Sequence, residues 1–360
     1  MNPKLIQISL FLLLICLCKG YNGKKNNNNG NKIMKLLRYF SGSEINDVGE
    51  EVHKEQEGYD DQSLYDEQAN HGALVVRDKN GKPVDKNNLK NNVKIVFIDL
   101  DGTLLNSHNK VSKLNLESLA KAHNKGIKIV FATGRPMFSV NDIMGQDAKK
   151  NNLSLIPGIY LNGCITYGPN GDIILDNYID KKLIMDIYNF SKENNLVGRM
   201  FWNSLEKAHM FENNEYADQY LKIEPTMPDI IDEETLKNTK IYRILILLDE
   251  ENLSSVLKMY QDKFSRRVFV DNTFKTYVEV IHHNATKFEG VKALCKHFNI
   301  RLNDALAIGD GENDIEMLQG VGTSIAVQNA PSKIKKCAKY VAPSNNDDAV
   351  HHAIQTFCDI

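Results

Sequence analysis

Lys94-Ile-Val-Phe-Ile-Asp99 is a near-continuous apolar run that ends in an acid. A run of this kind predicts a strand covered on both faces, as in a parallel sheet, rather than the alternation of a strand with one wet face. A helix is expected from about Leu114 to Lys125, stopped by Gly126, and then a second strand over Ile127 to Ala132. Strand, helix, strand in that order is one right-handed crossover unit. Near the C-terminus the apolar runs Ala305 to Gly309, Ser324 to Val327 and Tyr340-Val341 alternate with helical stretches at Asn313 to Gln319, Pro331 to Ala338 and Asp347 to Phe357. These read as further strands and helices of the same layered unit.

The middle of the chain has a different texture. Asn170-Gly171, flanked by Ile165-Thr-Tyr and Asp172-Ile-Ile-Leu, is a hairpin signal. Strands are expected at about Tyr242 to Leu248, Arg267 to Val270 and Tyr277 to Ile281, with a helix from Glu251 to Lys263. The reading is an α/β protein: a Rossmann-like parallel sheet core made of residues 84–175 and 282–360, with an α+β cap domain, residues 176–281, inserted into it. No repeat period is visible, and neither GxxxxGK[ST] nor a strand-linked GxGxxG occurs, so nucleotide phosphate loops are not indicated.

The N-terminal region is unlike either piece. Lys4 precedes an apolar run from Ile6 to Cys18, followed by Lys19 and Gly20, the layout of a secretory signal peptide over residues 1–20. The run is shorter than the ~20 residues of a spanning helix, so no stable membrane anchor is expected after cleavage. Residues 21–83 read as a disordered leader. It is first rich in Asn and Lys, without acid to about Arg38, and then holds ten carboxylates against one lysine between Glu44 and Glu67. Entry into the secretory pathway follows, with secretion or an organelle such as a plastid, reached by a bipartite leader, as the destination. The sequons at Asn152, Asn252 and Asn284 add little.

Composition narrows the function. Hydrophobic residues make up 42% and charged residues 25% of 360, enough for a large core. A net charge of -2 and the lack of a basic patch with interleaved aromatics argue against nucleic acid as a partner. Six cysteines without a CxxC pair indicate neither zinc nor a disulfide framework.

Four clusters carry candidate chemistry. Asp99-Leu-Asp101-Gly-Thr-Leu-Leu105 stands where the first buried strand stops, and ligands of open α/β sheets bind at the carboxyl ends of strands. Thr133-Gly134-Arg135-Pro136 follows the second strand and opens a helix, where a hydroxyl and free N–H groups could seat phosphate or merely cap the helix. Lys287 starts a helix after the cap. Gly309-Asp310-Gly-Glu-Asn313-Asp314 follows another strand, with oxygen ligands suited to a hard Mg²⁺ ion. EF-hand loops are excluded. Leu104 and Ile315 stand where such loops need glycine, and Lys110 and Val321 where they need glutamate.

With these strings in this order, residues from about Lys94 to Ile360 resemble the haloacid dehalogenase-like (HAD) hydrolase superfamily, and within it the Cof-type sugar phosphatases with a large α/β cap. The resemblance implies Asp99 as nucleophile and Asp101 as general acid/base. It implies Mg²⁺ held by Asp99, the main-chain oxygen of Asp101 and Asp310, with Asp314 supporting. Thr133, Gly134 and Lys287 would hold the phosphoryl group, Asn313 would assist, and Asn162-Gly163 would border the site. One departure is Phe288, where the family often has glycine after its lysine.

Chemistry agrees with that assignment. A phosphomonoester is shielded by its own charge, so a carboxylate can attack phosphorus only where cations and amide dipoles neutralise the oxygens. A second carboxylate protonates the departing alkoxide and then activates water. A carbon–halogen bond would need no such proton, so Asp101 argues against dehalogenation. The expected function is a phosphatase of small phosphorylated metabolites acting through an aspartyl-phosphate, its cap closing to supply specificity. A sugar phosphomutase and a non-catalytic metabolite-binding regulator are the alternatives. Cap residues Arg199, Trp202, His209 and Arg243 are open between packing and substrate contact.

Overall fold

The computed structural model describes residues 74–89, 92–274 and 276–360. The signal peptide expected over residues 1–20, and residues 21–73 of the expected leader, lie outside the described residues. The folded chain begins earlier than the pattern suggested. Val76 is buried, and strand β1 (Arg77–Asp78) pairs antiparallel with β15 (Tyr340–Ala342) at the sheet edge. The expected start near residue 84 is therefore too late, because residues 76–83 already belong to the folded core. The overlooked signal is Asn80-Gly81, where Gly81 at φ +74° and the Asp78 carboxylate, accepting from the Asn80 and Lys82 amides, make the turn.

The main sheet has nine strands in the order β1-β15-β14-β13-β2-β3-β4-β5-β6. At its centre β2 (Ile95–Ile98) is wholly buried, and it pairs in parallel with β3 (Lys128–Ala132) and β13 (Ala305–Gly309). Beyond β3 come β4 (Gly158–Tyr160) and the antiparallel hairpin of β5 (Ile165–Tyr167) and β6 (Ile173–Asp176). Beyond β13 come β14 (Thr323–Val327) and β15. The chain thus runs outward from β2 in one direction and returns on its other side, which puts a topological switch point between β2 and β13. Helix α1 (Lys113–Asn124) is capped by Ser112 accepting from the Asn115 amide, buries Leu116, Leu119 and Ala122, and gives way to Gly126 at φ +87°.

A second, six-stranded sheet is built from the chain between β6 and β13, in the order β11-β12-β10-β7-β8-β9. Its strands are β7 (Met200–Asn203), β8 (Ala208–Met210), β9 (Asp229–Ile230), β10 (Arg243–Leu247), β11 (Phe269–Phe274) and β12 (Tyr277–Ile281). Period-two alternation sorts its side chains. Met200, Trp202, Ile244, Ile246, Val278 and Val280 join the core formed with helices α3 (Lys181–Glu193) and α6 (Glu250–Phe264). The other face carries Phe201, Leu245, Leu247 and Tyr277, and Phe138 of the main unit packs into that cluster. This cap therefore lies against the core through an apolar patch as well as polar contacts. Strands β7, β8 and β9 were not foreseen, because each is short and β9 is two exposed residues. No helix among the described residues is long and apolar enough to cross a membrane.

Candidate active site

Four strands deliver their following residues to one end of the sheet: Asp99 after β2, Thr133 after β3, Asn162 after β4 and Asp310 after β13. Paired registers hold these ends level, with Ile98 opposite both Ile308 and Phe131, and Phe131 opposite Gly158. In the first loop Leu100, Leu104 and Leu105 are buried and pin the turn, which leaves Asp99 and Asp101 on the crevice side. Gly102 has φ +76°, and a Cβ there would lie 2.3 Å from an Asp310 carboxylate oxygen. Gly102→Ala should therefore displace Asp310 or the loop, lowering stability by about 1–3 kcal/mol and activity with it, as thermal unfolding and a turnover assay would register.

Three carboxylates, Asp99, Asp310 and Asp314, offer oxygens that all lie within 4.8 Å of one another. Lys287, fully buried at the start of helix α7 (Lys287–His297), places its Nζ 2.5 Å from Asp99 Oδ1 and 2.8 Å from Asp314 Oδ1. Asp314 also accepts from the Asp310 and Gly311 amides at 3.0 and 2.9 Å, so it braces the loop that carries Asp310. Thr103 donates to Asp310 at 3.0 Å. Burial pushes the Asp99 carboxyl well above the ordinary carboxylate range; Lys287 opposes the rise, and Asp314, Asp310 and Asp101 add to it. Asp310 is raised by the same burial and by Asp314. Burial alone would lower the Lys287 ammonium, but Asp314 and Asp99 outweigh it and hold it above the usual lysine value. The cluster is short of positive charge, and its hard oxygen donors fit a divalent cation such as Mg²⁺.

Asp101 stands apart from this cluster. Its side chain is 41% exposed against 7% for Asp99, and Arg135 grips both its oxygens, Nε at 2.8 Å and Nη2 at 2.7 Å. The Thr133 hydroxyl accepts from the Arg135 amide rather than capping helix α2 (Met137–Lys150), whose N-cap is Pro136. Leu161, Asn162 and Gly163 all have positive φ, a strained loop of the sort that concentrates at functional sites. A Cβ on Gly163 would meet the Thr286 carbonyl at 2.1 Å, so glycine lets this loop touch the residue before Lys287. The Asn162 amide N–H donates to the Thr133 carbonyl at 3.0 Å, and its side-chain oxygen accepts from Asn313 at 2.9 Å. A Cβ on Gly134 would meet that same oxygen at 3.1 Å. Direct contacts thus tie Lys287 to Asp99 and Asp314, Asp314 to the Asp310 loop, and Asn162 to Thr133 and Asn313; Asp101 is held through Arg135.

A profile of the haloacid dehalogenase-like hydrolases matches residues 96–354. The chain belongs to that family. A solved HAD/COF-like hydrolase of Plasmodium vivax is 32% identical, with a TM-score of 0.69, over 75% of this chain and 97% of its own. Phosphatase YwpJ of Bacillus subtilis is 28% identical over 73% of this chain and 99% of its own. The chloroplastic endoribonuclease YBEY of Arabidopsis thaliana is 29% identical over 73% of this chain, which spans 46% of that protein's length. The Rossmann-like core with its cap is therefore the HAD fold. The Phe288 departure is accommodated locally: a Cβ on Gly320 of helix α8 (Ile315–Gly320) would lie 2.1 Å from the Phe288 ring, so glycine on the facing helix makes the room.

The sequence reading left Arg243 open between packing and substrate contact, and gave no role to Arg135, Glu224 or Glu279. Arg135 lay inside a motif chosen for its neighbours. On the cap, Arg243 donates to the core's Gly134 carbonyl at 2.8 Å and to Glu224 at 2.7 Å, and Glu224 also takes Arg135 at 3.3 Å. Glu279 lies 3.8 Å from Arg243 and accepts from Asn162 at 3.5 Å. The available signal was charge inside buried strands, Arg243 within Ile-Tyr-Arg-Ile-Leu and Glu279 within Tyr-Val-Glu-Val-Ile. The other open cap residues make their contacts within the cap: Trp202 is fully buried between Tyr188 and Phe211, Arg199 meets Asp249 and the Tyr216 ring, and His209 meets Ser204.

Proposed function

We propose that this protein is a Mg²⁺-dependent phosphatase of small phosphorylated metabolites, sugar phosphates first among them, working through an aspartyl-phosphate. The observation that carries the reading is the contrast between two carboxylates of one loop. Asp99 is buried against the Lys287 ammonium, whereas Asp101 faces the crevice in the grip of Arg135. Different environments suit them to different tasks. The kinship with phosphatase YwpJ points the same way.

Mg²⁺, when bound, would neutralise phosphoryl oxygens, and the Asp99 and Asp310 carboxylates with the Asp101 main-chain oxygen are the groups that would hold it. Asp99 attacks phosphorus while Lys287 compensates the oxygens that Thr133 and Gly134 help to seat, and the ester oxygen leaves with the proton of Asp101. In the second half Asp101 takes a proton from the water that cleaves the aspartyl-phosphate. Arg135 occupies both oxygens of Asp101, so proton transfer to the ester oxygen needs this contact to loosen as substrate enters.

Inorganic phosphate release by the full chain from a panel of sugar phosphates, with Mg²⁺ and with EDTA, tests the proposal. Turnover with Mg²⁺ that EDTA abolishes is expected. Interconversion of isomeric sugar phosphates with little free phosphate would instead make the protein a mutase, and turnover undiminished by EDTA would remove the metal from the reading.

A further inference from the structure

The cap presents three buried polar side chains to the core from one sheet face: Asn203, Arg243 and Glu279, on adjacent strands in the order β12, β10, β7. Two of them are fully engaged. Arg243 donates through Nε to Asn203, through Nη1 to Gly134 and through Nη2 to Glu224, at 3.2, 2.8 and 2.7 Å. Asn203 additionally donates to the Tyr220 hydroxyl at 3.1 Å. Glu224 has an arginine on each oxygen.

Glu279 differs. It is 3% exposed, and its contacts with an Asn162 amide at 3.5 Å and the Arg243 guanidinium at 3.8 Å are both long for a carboxylate able to accept about four hydrogen bonds. An under-paired carboxylate in a dry site is costly, and burial accordingly pushes its carboxyl up, with Arg243 opposing. Its two neighbours are site residues. Asn162 touches Thr133 and Asn313, and Arg243 touches Gly134. Through these two neighbours Glu279 borders the place where Thr133 and Gly134 would seat a phosphate.

We propose that Glu279 is the specificity-determining residue for the leaving group, accepting a hydrogen bond from a hydroxyl of a neutral polyol ester. The inference rests on the phosphatase reading. A hydroxyl supplies the donor that Glu279 lacks. An aryl or alkyl leaving group leaves it with its two long contacts alone, and an acidic one meets two carboxylates, Glu279 and Glu224, with every nitrogen of Arg243 already donating. Arg243 acts here as a positioning residue, fixed on the core while it stands beside Glu279.

The test compares kcat/KM for the best neutral polyol monophosphate of the panel, for p-nitrophenyl phosphate and for 3-phosphoglycerate, in wild type, Glu279→Gln and Glu279→Ala. The ratio of polyol ester to p-nitrophenyl phosphate should fall about 100-fold in Glu279→Ala, chiefly through KM for the polyol ester. Glu279→Gln, which keeps the shape and an acceptor but not the charge, should fall less on that ratio and gain on 3-phosphoglycerate. It also carries the test if the alanine variant unfolds, as a thermal melt would reveal. Equal losses on all three substrates would reduce Glu279 to a structural residue and overturn the proposal, as would an unchanged ratio. Wild type active on p-nitrophenyl phosphate but on no polyol ester would overturn it too. Wild type inactive on every phosphomonoester would be a failure of the phosphatase reading itself, and this inference would fall with it.

Discussion

Asp99→Asn should abolish turnover, with a loss of about 10⁴-fold or more, while leaving the protein at least as stable as wild type. The loss follows from chemistry, since an amide cannot attack phosphorus as a carboxylate does. The stability follows from electrostatics. Burial holds the Asp99 carboxyl well above its ordinary range in spite of Lys287, so its charge is a burden in the native state. The native state keeps a proton that the unfolded chain has released, and this group's contribution falls as pH rises above the unfolded carboxylate value of about 4. Removing the charge therefore raises stability near neutrality, most visibly with EDTA present. Phosphate release and thermal melts at neutral pH measure both. An inactive variant that is also markedly less stable would mean that Asp99 holds the loop together rather than attacking substrate, and an active one would end its candidacy as nucleophile. Single-turnover mixing of wild type with substrate, followed by acid quench and peptide mass analysis, should find the phosphoryl group on the peptide that contains Asp99.

The core of this fold and the loops that form the candidate site were legible because the features that make them are local. A strand buried on both faces must be continuously apolar, so Ile95–Ile98 and Ala305–Gly309 declare themselves, and an acid directly after such a strand stands out. The leucines of the Asp99 loop are there for burial, and Gly102 for a backbone that must pass close to Asp310. The cap was legible only in outline. Its strands β8 and β9 are too short to show a period, and β1 of the core is a two-residue edge strand whose partner lies more than 250 positions away. The ion network escaped for the same reason. Whether Arg243 and Glu279 are core or surface depends on which face of β10 and β12 meets the main sheet, and that is fixed by docking of the cap, not by their neighbours in sequence. A charge flanked on both sides by aliphatic or aromatic residues within a strand is the one local clue.

Lys287→Met should cost both activity and stability, and the stability loss should depend on pH. The ammonium is fully buried between Asp99 and Asp314, at 2.5 and 2.8 Å, and no other lysine touches either carboxylate among the described contacts. Methionine fills most of the volume but leaves two buried carboxylates facing each other, and breaking a buried pair in this way costs about 3–5 kcal/mol. Activity should fall about 10³-fold, because the phosphoryl oxygens lose a compensating charge in a dry site. The sign of the pH effect is set by Asp99. Lys287 is the neighbour that pulls its carboxyl down, so without it the native state binds a proton still more readily than the unfolded chain does. The variant's deficit relative to wild type should therefore be smaller at pH 5 than at pH 8, measured by urea unfolding with EDTA. Adding Asp314→Asn to Lys287→Met should recover part of the lost stability and none of the activity, since it removes one unpaired charge without restoring the ammonium. A deficit equal at both pH values, and unrelieved by the second substitution, would mean that Lys287 matters for its packing rather than its charge.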